Sequence, residues 1–526
     1  MTRTRRELLQ AFAALGAVSC TGRSRGRTIT GSIVGGVHTR GHKIREGLRL
    51  SPDRWEQTGV AIVGGGIAGL SAAWGLERAA HRDFIVLELE DAPGGTARFG
   101  NGPITPYPWG AHYVPAPGAD NQALVRLLEE VGAVSGRDPQ GRPLFAEHVL
   151  CRDPQERVFF RGEWFEGLYP RIGATDGDLR QLDDFTEDMR RWSQWRDASG
   201  RRAFTLPRAA GSDAPEIRAL DQRSMADYMD SCGWTSPRLR WLVEYACRDD
   251  FGATLAQTSA WAGIHYHAAR LDEGGPAELL TWPEGNGRLV RHLAEVAGAR
   301  LRLGALVTEL RPGPRGGVEV VYATREGEAV GLRARAAVFA LPGFLTPYLV
   351  APRQGTRFAP PVYGSWMVAN LTLRERPRSR GFPLAWDNVL YDSPSLGYVV
   401  ATHQSGQDHG ATVFTYYRPL LEDDVRHART QLLATTWEEW VEIILDDLGR
   451  AHPNLRDVVE RVDVYLWGHA MVRPRPGSMW SADRAQAAAP AGAIHFAHTD
   501  LSGMALFEEA QYWGLRAGAA AARDLG

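Results

Sequence analysis

The sequence is poor in lysine and cysteine, and each scarcity limits the chemistry open to it. Lys43 is the only lysine among 526 residues, so the positive charge is almost entirely arginine. The four cysteines contain no Cys-x-x-Cys pair, which indicates neither a zinc site nor a dithiol redox motif, and we predict no metal. Cys232 and Cys247 could pair in an oxidising compartment, but we expect two buried free thiols.

An excess of charge and a long apolar run are also missing. The formal net charge of -2 indicates no nucleic-acid or anionic-membrane partner. No segment reaches the roughly 18 apolar residues that a transmembrane helix needs. The hydrophobic content of 44% is that of an ordinary globular protein, and the length favours two domains.

Residues 59–90 carry the pattern of a dinucleotide-binding βαβ unit. An apolar strand leads into Gly-x-Gly-x-x-Gly, a helix of small and apolar residues follows, and a second strand ends on an acid. Gly64 permits the tight turn, Gly66 lets the backbone approach a pyrophosphate, and Gly69 lets the helix pack close to the strand. Glu88 can accept hydrogen bonds from ribose hydroxyls, and its charge disfavours the 2′-phosphate of NADP.

The N-terminus resembles an export signal. Residues 4–9 read Thr-Arg-Arg-Glu-Leu-Leu, which resembles the twin-arginine motif, and a short apolar stretch follows. Cys20 stands where a lipoprotein signal places its modified cysteine. We therefore expect recognition by the twin-arginine machinery and a periplasmic or membrane-anchored protein. An ordinary basic N-terminus is the alternative, and lipidation of Cys20 stays open.

A second glycine-rich loop follows the second strand. Gly94 and Gly95 precede Arg98, and residues 109–114 then read Trp-Gly-Ala-His-Tyr-Val. With this GG-x-x-R loop and the aromatic turn after it, the sequence resembles the flavin-containing amine oxidase superfamily. That superfamily includes polyamine oxidases, monoamine oxidases and related desaturases.

The resemblance implies FAD as the cofactor and a set of contacts to it. The implied residues are Gly94, Gly95 and Arg98 for the pyrophosphate and flavin side, Gly110 and Ala111 beside the isoalloxazine, and Val307 for the adenine.

The C-terminal segment resembles the closing motif of the same family. A strand ends on Asp500, a Ser-Gly turn follows, and residues 508–522 form a helix rich in alanine and glycine. By this resemblance, Asp500 and the helix N-terminus hold the flavin ribityl and pyrophosphate. The motif departs from the family pattern where His498 and Thr499 replace a glycine, and where Glu509 stands in place of the glycine of E-G-A.

These motifs predict an α/β fold with a discontinuous, GR2-like Rossmann-type FAD-binding domain and an α+β substrate domain whose sheet covers the flavin. Within the substrate domain we predict one long helix over residues 426–448 and a loop at residues 386–388. The predicted boundaries are a signal at 1–20, a linker at 21–55, FAD-binding parts at 56–119, 285–345 and 489–526, and substrate parts at 120–284 and 346–488.

The scarcity of lysine bears directly on catalysis. The family usually places a lysine, through a water, near flavin N5, and Lys43 cannot supply it because it precedes the fingerprint. We predict His112 as the substitute, with a purely structural histidine as the alternative. Asp249, Asp250 and Glu508 are candidate holders of substrate cations.

The resemblance predicts an FAD-dependent oxidoreductase that oxidises a polyamine-like amine by hydride transfer, with oxygen as acceptor, and the N-terminal motif predicts that it is exported. Monoamine oxidases attach FAD through a C-terminal cysteine, and because none follows Cys247 we predict noncovalent FAD. An FAD-dependent desaturase or oxidase of an apolar substrate is one alternative, which the many tryptophans suit. A flavoprotein without turnover is another.

Overall fold

The computed structural model describes residues 28–36, 38–118, 120–272, 275–351 and 361–525. The predicted signal and Cys20 lie outside the described residues. The strands are β1 Thr30–Ile33, β2 Arg54–Val63, β3 Phe84–Leu87, β4 Phe99–Asn101, β5 Pro106–Pro108, β6 Tyr113–Pro115, β7 Val134–Arg137, β8 Pro143–Phe145, β9 Glu156–Phe160, β10 Glu163–Glu166, β11 Leu271–Asp272, β12 Gly275–Pro276, β13 Leu279–Thr281, β14 Leu301–Arg302, β15 Leu306–Pro312, β16 Val318–Ala323, β17 Ala329–Phe339, β18 Tyr363–Leu373, β19 Asp387–Leu390, β20 Gly397–Val400, β21 Thr412–Leu420, β22 Val459–Val472 and β23 Ile494–Phe496.

Helices connect and cover these strands. They are α1 His38–Arg45, α2 Ile67–Arg78, α3 Gln122–Glu130, α4 Asp176–Gln194, α5 Pro215–Leu220, α6 Met225–Ser231, α7 Pro237–Phe251, α8 Ala260–Ala268, α9 Gly287–Ala297, α10 Thr346–Leu349, α11 Val425–Ala434, α12 Trp437–Gly449, α13 Leu455–Val458, α14 Ala482–Ala488 and α15 Phe507–Arg523.

A first large sheet carries the glycine fingerprint and joins three distant stretches of chain. Its order is β14-β3-β2-β17-β16-β15, and β23 pairs with β17. The strands β14, β3, β2, β17 and β23 pair in parallel, and β3 is buried along its whole length. Continuous apolar runs of this kind are typical of parallel strands that are covered on both faces. The α/β fold with a Rossmann-type sheet is therefore confirmed.

Helices α2, α9 and α15 cover one face of this sheet. Helix α15 crosses α2 at very close range, because Gly514 faces the backbone of Ala68. A Cβ at Gly514 would lie only 2.1 Å from the Ala68 carbonyl oxygen. The alanine- and glycine-rich composition of α15 thus allows the C-terminal helix to pack directly on the fingerprint helix.

A second large sheet forms the substrate side of the molecule, in the order β1-β22-β18-β21-β20-β19-β9-β10. The pleat of β18 separates its side chains into two sets. Met367, Ala369 and Leu371 pack with helices α11 and α12, whereas Trp366 and Val368 face the opposite side. That opposite face looks toward the first sheet and forms part of the wall of a cavity between them.

Two local predictions in the substrate side are wrong. The segment 426–448 is not one helix, because Thr436 starts a new helix as its N-cap and forms a capping box with Glu439. Asp387 and Asn388 begin strand β19 instead of lying in a loop, since both find partners on β9 and β20. The paired residues of β9 are distant along the chain and those of β20 lie across a turn, so local composition does not predict the pairing.

The predicted linker at residues 21–55 also contains regular structure. Its described part forms strand β1, which joins the second sheet, and helix α1, which packs against the first. Edge pairing with β22 explains this strand, whose short sequence Thr-Gly-Ser-Ile does not by itself indicate one.

The described residues contain no membrane-spanning helix and no metal cluster. None of the helices there combines the length and apolar character needed to cross a bilayer. Nor do three or more His, Cys, Asp or Glu side chains come together there in a way that could hold a metal ion. Cys151, Cys232 and Cys247 are free, but Cys232 is exposed, contrary to prediction, because it caps α6 just before a surface turn.

Candidate active site

The fingerprint turn has the backbone geometry that a dinucleotide needs. Gly64 has a φ of 109°, and a Cβ there would lie 2.6 Å from the carbonyl oxygen of Ala340. Gly66 caps α2, and a Cβ there would meet nothing closer than 3.9 Å, so the space in front of the helix is open. An open helix N-terminus of this kind suits a pyrophosphate.

Glu88 lies beside the same turn. Its carboxylate accepts hydrogen bonds from the Gly65 N–H at 2.6 Å and the Glu90 N–H at 2.8 Å. Burial raises the pKa of Glu88 above its ordinary value, against the effect of these two donors. The acid therefore stands at the end of β3, where the ribose of a dinucleotide would be read.

The second glycine loop links the fingerprint turn to the aromatic turn. Gly94 and Gly95 have left-handed backbones, and the Gly94 N–H donates to the Gly65 carbonyl oxygen at 2.8 Å. The Ala111 N–H donates to the Thr96 carbonyl oxygen at 2.9 Å, and a Cβ at Gly110 would lie 2.2 Å from that oxygen. The structure thus brings the predicted cofactor glycines into one continuous surface.

Arg98 and Asp500 make contacts within the protein. The Arg98 guanidinium donates to the Tyr465 hydroxyl at 2.8 Å and lies near Glu90 and Asp91. The Asp500 carboxylate accepts from the Gly343 N–H at 2.6 Å and from the Tyr363 hydroxyl. Their direct contact with FAD stays a prediction.

The charge of Asp500 is maintained by its surroundings. Burial opposes ionisation of this carboxyl, but His498, Tyr363 and the Gly343 N–H outweigh it and hold its pKa below the ordinary value. His498, which replaces a glycine of the family motif, places its Nδ1 3.0 Å from the Asp500 carboxylate. His498, where the sequence departs from the family pattern, is thus a partner of the Asp500 carboxylate.

A cavity of about 130 Å³, counted as the space that the centre of a water molecule can occupy, opens next to the Gly110 turn. The side chains and backbone around it come from all three parts of the predicted cofactor domain, from the second sheet, and from α7 and the segment after α8. The residues lining it are Thr96, Gly110, Ala111, His112, Tyr113, Pro115, Asp249, Asp250, Arg270, Asn286, Trp366, Val368, Tyr417, Trp467, Ala470, Met471, Ala505, Leu506, Phe507 and Glu508.

His112, the predicted catalytic residue, does line this cavity. Its Nδ1 lies 3.3 Å from the Gly110 carbonyl oxygen, and its ring packs against Tyr417 at a centroid distance of 4.8 Å. Burial lowers the pKa of His112 to about 4, so the imidazole is neutral at neutral pH. A neutral ring can donate or accept one hydrogen bond but carries no charge, and its catalytic role stays a prediction.

All three predicted cation holders also line the cavity. Asp250 pairs with Arg270 at 2.7 Å, and Asp249 accepts a hydrogen bond from the Tyr113 hydroxyl at 3.3 Å. Burial, with Asp250 as a second cause, raises the pKa of Asp249 to about 7, and burial raises that of Glu508 to about 7. Both carboxyls therefore change charge near neutral pH.

Several cavity residues were not predicted. Trp366, Tyr417 and Trp467 form aromatic walls, and their strand positions depend on a sheet register that the sequence alone did not reveal. The Tyr417 hydroxyl donates to the Gly110 carbonyl oxygen at 2.9 Å. Arg270 follows a helix end without any motif, so no sequence signal marked it.

Three buried polar atoms at this cavity lack a hydrogen-bond partner among the described residues. They are the Arg270 Nε, the Asn286 Oδ1 and the Trp366 Nε1. Buried polar groups in native proteins are normally hydrogen-bonded, so atoms like these suit a bound polar group. Together with the open fingerprint turn, they fit a dinucleotide whose reactive ring reaches the cavity.

We predict that the cofactor is held without a covalent bond. The cavity lining within the described residues contains neither a cysteine nor a lysine. Precipitating the purified holoprotein with acid should therefore leave the flavin absorbance in the supernatant. Flavin that stays in the washed pellet would contradict this prediction.

The sequence matches a known protein family over most of its length. The family model for flavin-containing amine oxidoreductases matches residues 67–522. No curated protein sequence matches the chain.

Several solved structures share this fold over most of this chain and of their own chains. Wild-type putrescine oxidase bound to putrescine has 18% identity and a TM-score of 0.63, with 88% of this chain and 99% of that chain covered. Cyclohexylamine oxidase from Brevibacterium oxydans IH-35A has 18% identity and a TM-score of 0.61, with 89% and 100% covered. A fatty acid isomerase from P. acnes has 14% identity and a TM-score of 0.61, with 89% and 98% covered. At these identities the likeness concerns the fold alone.

Proposed function

This chain belongs to the flavin-containing amine oxidoreductase family, and from that premise we propose that it oxidises a small, polyamine-like amine with oxygen as the electron acceptor. The family places it among FAD-dependent oxidoreductases. The particular amine and the acceptor are our proposal. In the overall reaction, the amine, oxygen and water give a carbonyl compound, a released amine or ammonia, and hydrogen peroxide.

FAD fits the residues that are present. The turn at Gly64 and Gly66 would receive the pyrophosphate, Glu88 the ribose hydroxyls, and the start of β15 at Val307 the adenine. The loop at Gly94 and Gly95 continues this surface toward the cavity. Bound FAD supplies hydride acceptance from the carbon beside the amine nitrogen.

The observation that carries the proposal is the set of carboxylates in the cavity. Arg270 pairs with Asp250, which leaves Asp249 bonded to the Tyr113 hydroxyl beside the aromatic turn. A buried carboxyl with a pKa of about 7 gains from a cationic ligand, because the cation offsets the burial that opposes its charge. We assign to Asp249 the binding of a substrate ammonium group.

Aromatic walls complete the binding site for an amine. Trp366, Tyr417 and Trp467 present ring surface to the cavity, and ring faces attract cations by about 0.5–2 kcal/mol per contact. Apolar walls also favour the neutral amine at the reacting carbon, since burial disfavours the charged form.

Two solved structures support an amine as the substrate. The proteins are named putrescine oxidase and cyclohexylamine oxidase, so the shared fold is compatible with a linear diamine and with a cyclic monoamine. The acids of this cavity favour an amine over an uncharged substrate. Because Asp249 and Glu508 both line the cavity, we place linear di- and polyamines first.

The test is anaerobic mixing of the flavin-loaded protein with putrescine, spermidine, spermine and cyclohexylamine, while the visible flavin band is followed. We expect rapid bleaching by at least one of these amines, and recovery of the band on admitting air, with peroxide formed. Bleaching that air does not reverse would overturn oxygen as the acceptor.

An apolar substrate is the second candidate function. The cavity contains no lysine among its described lining residues, and the fatty acid isomerase shares the fold. If no amine bleaches the flavin, the amine proposal fails, and bleaching by an apolar polyene in the same assay would favour this candidate.

We also propose that the protein is exported through the twin-arginine route. The support is the Thr-Arg-Arg-Glu-Leu-Leu sequence at residues 4–9 and the apolar stretch that follows it. Lipidation of Cys20 would anchor the exported protein to a membrane.

A further inference from the structure

Residues 28–36 run along the second sheet and residues 38–50 lie at the first, and we propose that these two stretches act as a strap that closes the adenosine end of the FAD site and slows release of the cofactor. The strap precedes the part of the chain that the family model matches, residues 67–522. The proposal depends on FAD binding at the fingerprint and is independent of which substrate is oxidised.

The first half of the strap is fixed to the second sheet. Strand β1 pairs in parallel with β22, from Thr30 opposite Arg461 to Ile33 opposite Val464. The pairing continues for one residue, since the Val34 N–H donates to the Val464 carbonyl oxygen at 2.8 Å.

The turn after β1 rests on the residue that holds the second glycine loop. Gly35 has a φ of 71°, and a Cβ there would lie 2.1 Å from the Tyr465 ring. The hydroxyl of the same tyrosine accepts the hydrogen bond from Arg98. The strap therefore contacts Tyr465, which binds Arg98 next to the Gly94–Gly95 loop.

The second half of the strap packs beside the predicted adenosine site. The Arg40 guanidinium donates to the carbonyl oxygens of Gly304 at 3.1 Å and Thr324 at 3.3 Å. The Gly304 N–H in turn donates to the Glu90 carbonyl oxygen at 3.0 Å, two residues after the predicted ribose acid. Arg40 thus ties α1 to the loops that follow β14 and β16.

Apolar contacts place α1 at the same edge. Ile44 is buried, with 6% of its surface exposed, in a cluster that includes Leu87 at the end of β3 and Val307 at the start of β15. A Cβ at Gly41 would lie 3.4 Å from Leu89, the residue after Glu88. Ligands of open α/β sheets bind outside the carboxyl ends of the parallel strands, and α1 stands over that end.

A helix in this position encloses the adenosine between itself and the sheet edge. The contacts of Arg40 and Ile44 hold α1 at the first sheet, so α1 can move away only if they break. The pairing of β1 with β22 fixes the other end of the strap to the second sheet. Departure of FAD then requires those contacts to open first, which makes the strap a kinetic barrier to cofactor loss.

The test measures FAD release from loaded protein by the gain of free-flavin fluorescence after dilution, which needs no substrate. A chain that begins at Ser51 is compared with one that begins at Thr28, so that both lack the predicted signal and only the first lacks the strap. We expect the shorter chain to release FAD about tenfold faster or more, since a buried apolar contact and charged hydrogen bonds are lost together.

A second variant tests the proposal even if the shortened chain does not fold. Arg40→Ala combined with Ile44→Ala in the longer chain should speed release in the same direction. Arg49→Ala is its matched control, because Arg49 is exposed and donates only to the neighbouring Leu48 carbonyl oxygen in the described contacts. Equal release rates in the double variant and the control, or slower release without the strap, would overturn the proposal.

Discussion

Replacing Gly69 by alanine is expected to remove FAD from the purified protein almost completely. A Cβ at Gly69 would lie 1.8 Å from the Gly64 carbonyl oxygen and 3.3 Å from the Ile62 side chain. The oxygen belongs to the turn that a pyrophosphate approaches, and backbone cannot move aside as a flexible side chain can. Either α2 shifts away from β2 or the turn changes shape, and both changes remove the phosphate site.

The expected size of this effect follows from packing energies. Overpacking of a tight core costs about 1–3 kcal/mol, and a displaced phosphate turn loses binding energy in addition. Since about 1.4 kcal/mol corresponds to a tenfold change in affinity, we expect the Kd for FAD to rise by about an order of magnitude or more, so that FAD is lost during purification. The ratio of visible flavin absorbance to protein absorbance after purification measures it.

Gly75→Ala is the matched control on the same helix. A Cβ at Gly75 would meet only the end of the Leu515 side chain, at 2.9 Å, and that side chain can rotate. Alanine also favours the helix by about 1 kcal/mol over glycine, which offsets a small repacking cost. Full flavin content is expected in this control, and flavin content in Gly69→Ala equal to that of the control would contradict the prediction.

The cofactor cradle could be predicted from the sequence because it is local. The residues from Gly64 to Gly95 are close together along the chain. Gly64 and Gly94 have left-handed backbones, and a Cβ at Gly69 would meet backbone at 1.8 Å, so a side chain is disfavoured at these three positions. The observed left-handed backbones of Gly64, Gly94 and Gly95 are therefore consequences of the same pattern that identified the motif.

The cavity walls were harder to predict because they depend on pairing between distant segments. Trp366 and Val368 face the cavity, and Met367 faces the helices, only because β18 pairs with β21 and β22 in one register. A shift of one residue would exchange the two sets. The sequence showed strands here, but not which face of each strand would meet the cofactor domain.

The cavity carboxylates could be predicted from the sequence only in part. The sequence indicates Asp249, Asp250 and Glu508 as candidate cation holders, and all three line the cavity. The roles they can take differ because of Arg270, which pairs with Asp250. That pairing arises from the packing of the segment after α8 against α7, which no motif indicated.

Replacing Asp249 by asparagine is expected to raise KM for the preferred amine by about one to two orders of magnitude, since hydrogen bonds to charged groups contribute about 1.5–3 kcal/mol. The flavin content should not change, because Asp249 lies apart from the fingerprint turn. Steady-state oxidation, followed by peroxide formation, gives KM and kcat separately. Asp230→Asn, on an exposed side chain paired with Arg240, is the matched control.

The pH dependence separates Asp249 from Glu508. If amine binding needs the Asp249 carboxylate, as proposed, kcat/KM should fall as the pH drops through 7, because burial raises the pKa of Asp249 to about 7. An amide at this position cannot titrate, so this limb should vanish in Asp249→Asn and persist in Glu508→Gln. The reverse pattern would assign cation binding to Glu508 and contradict the prediction.

Thermal stability provides an independent test of Asp249→Asn. The pKa of Asp249 is raised in the folded protein from 3.8 to about 7, so its contribution to stability is complete below the ordinary value of 3.8. That contribution is lost as the pH rises through 7, because ionisation of the buried carboxyl opposes folding when no cation is bound. Asp249→Asn should therefore melt no lower than the unsubstituted protein at about pH 8 in the absence of amine, while it binds amine more weakly. A variant that melts lower under these conditions would show that the weakened binding comes from structural damage and not from the loss of one charge.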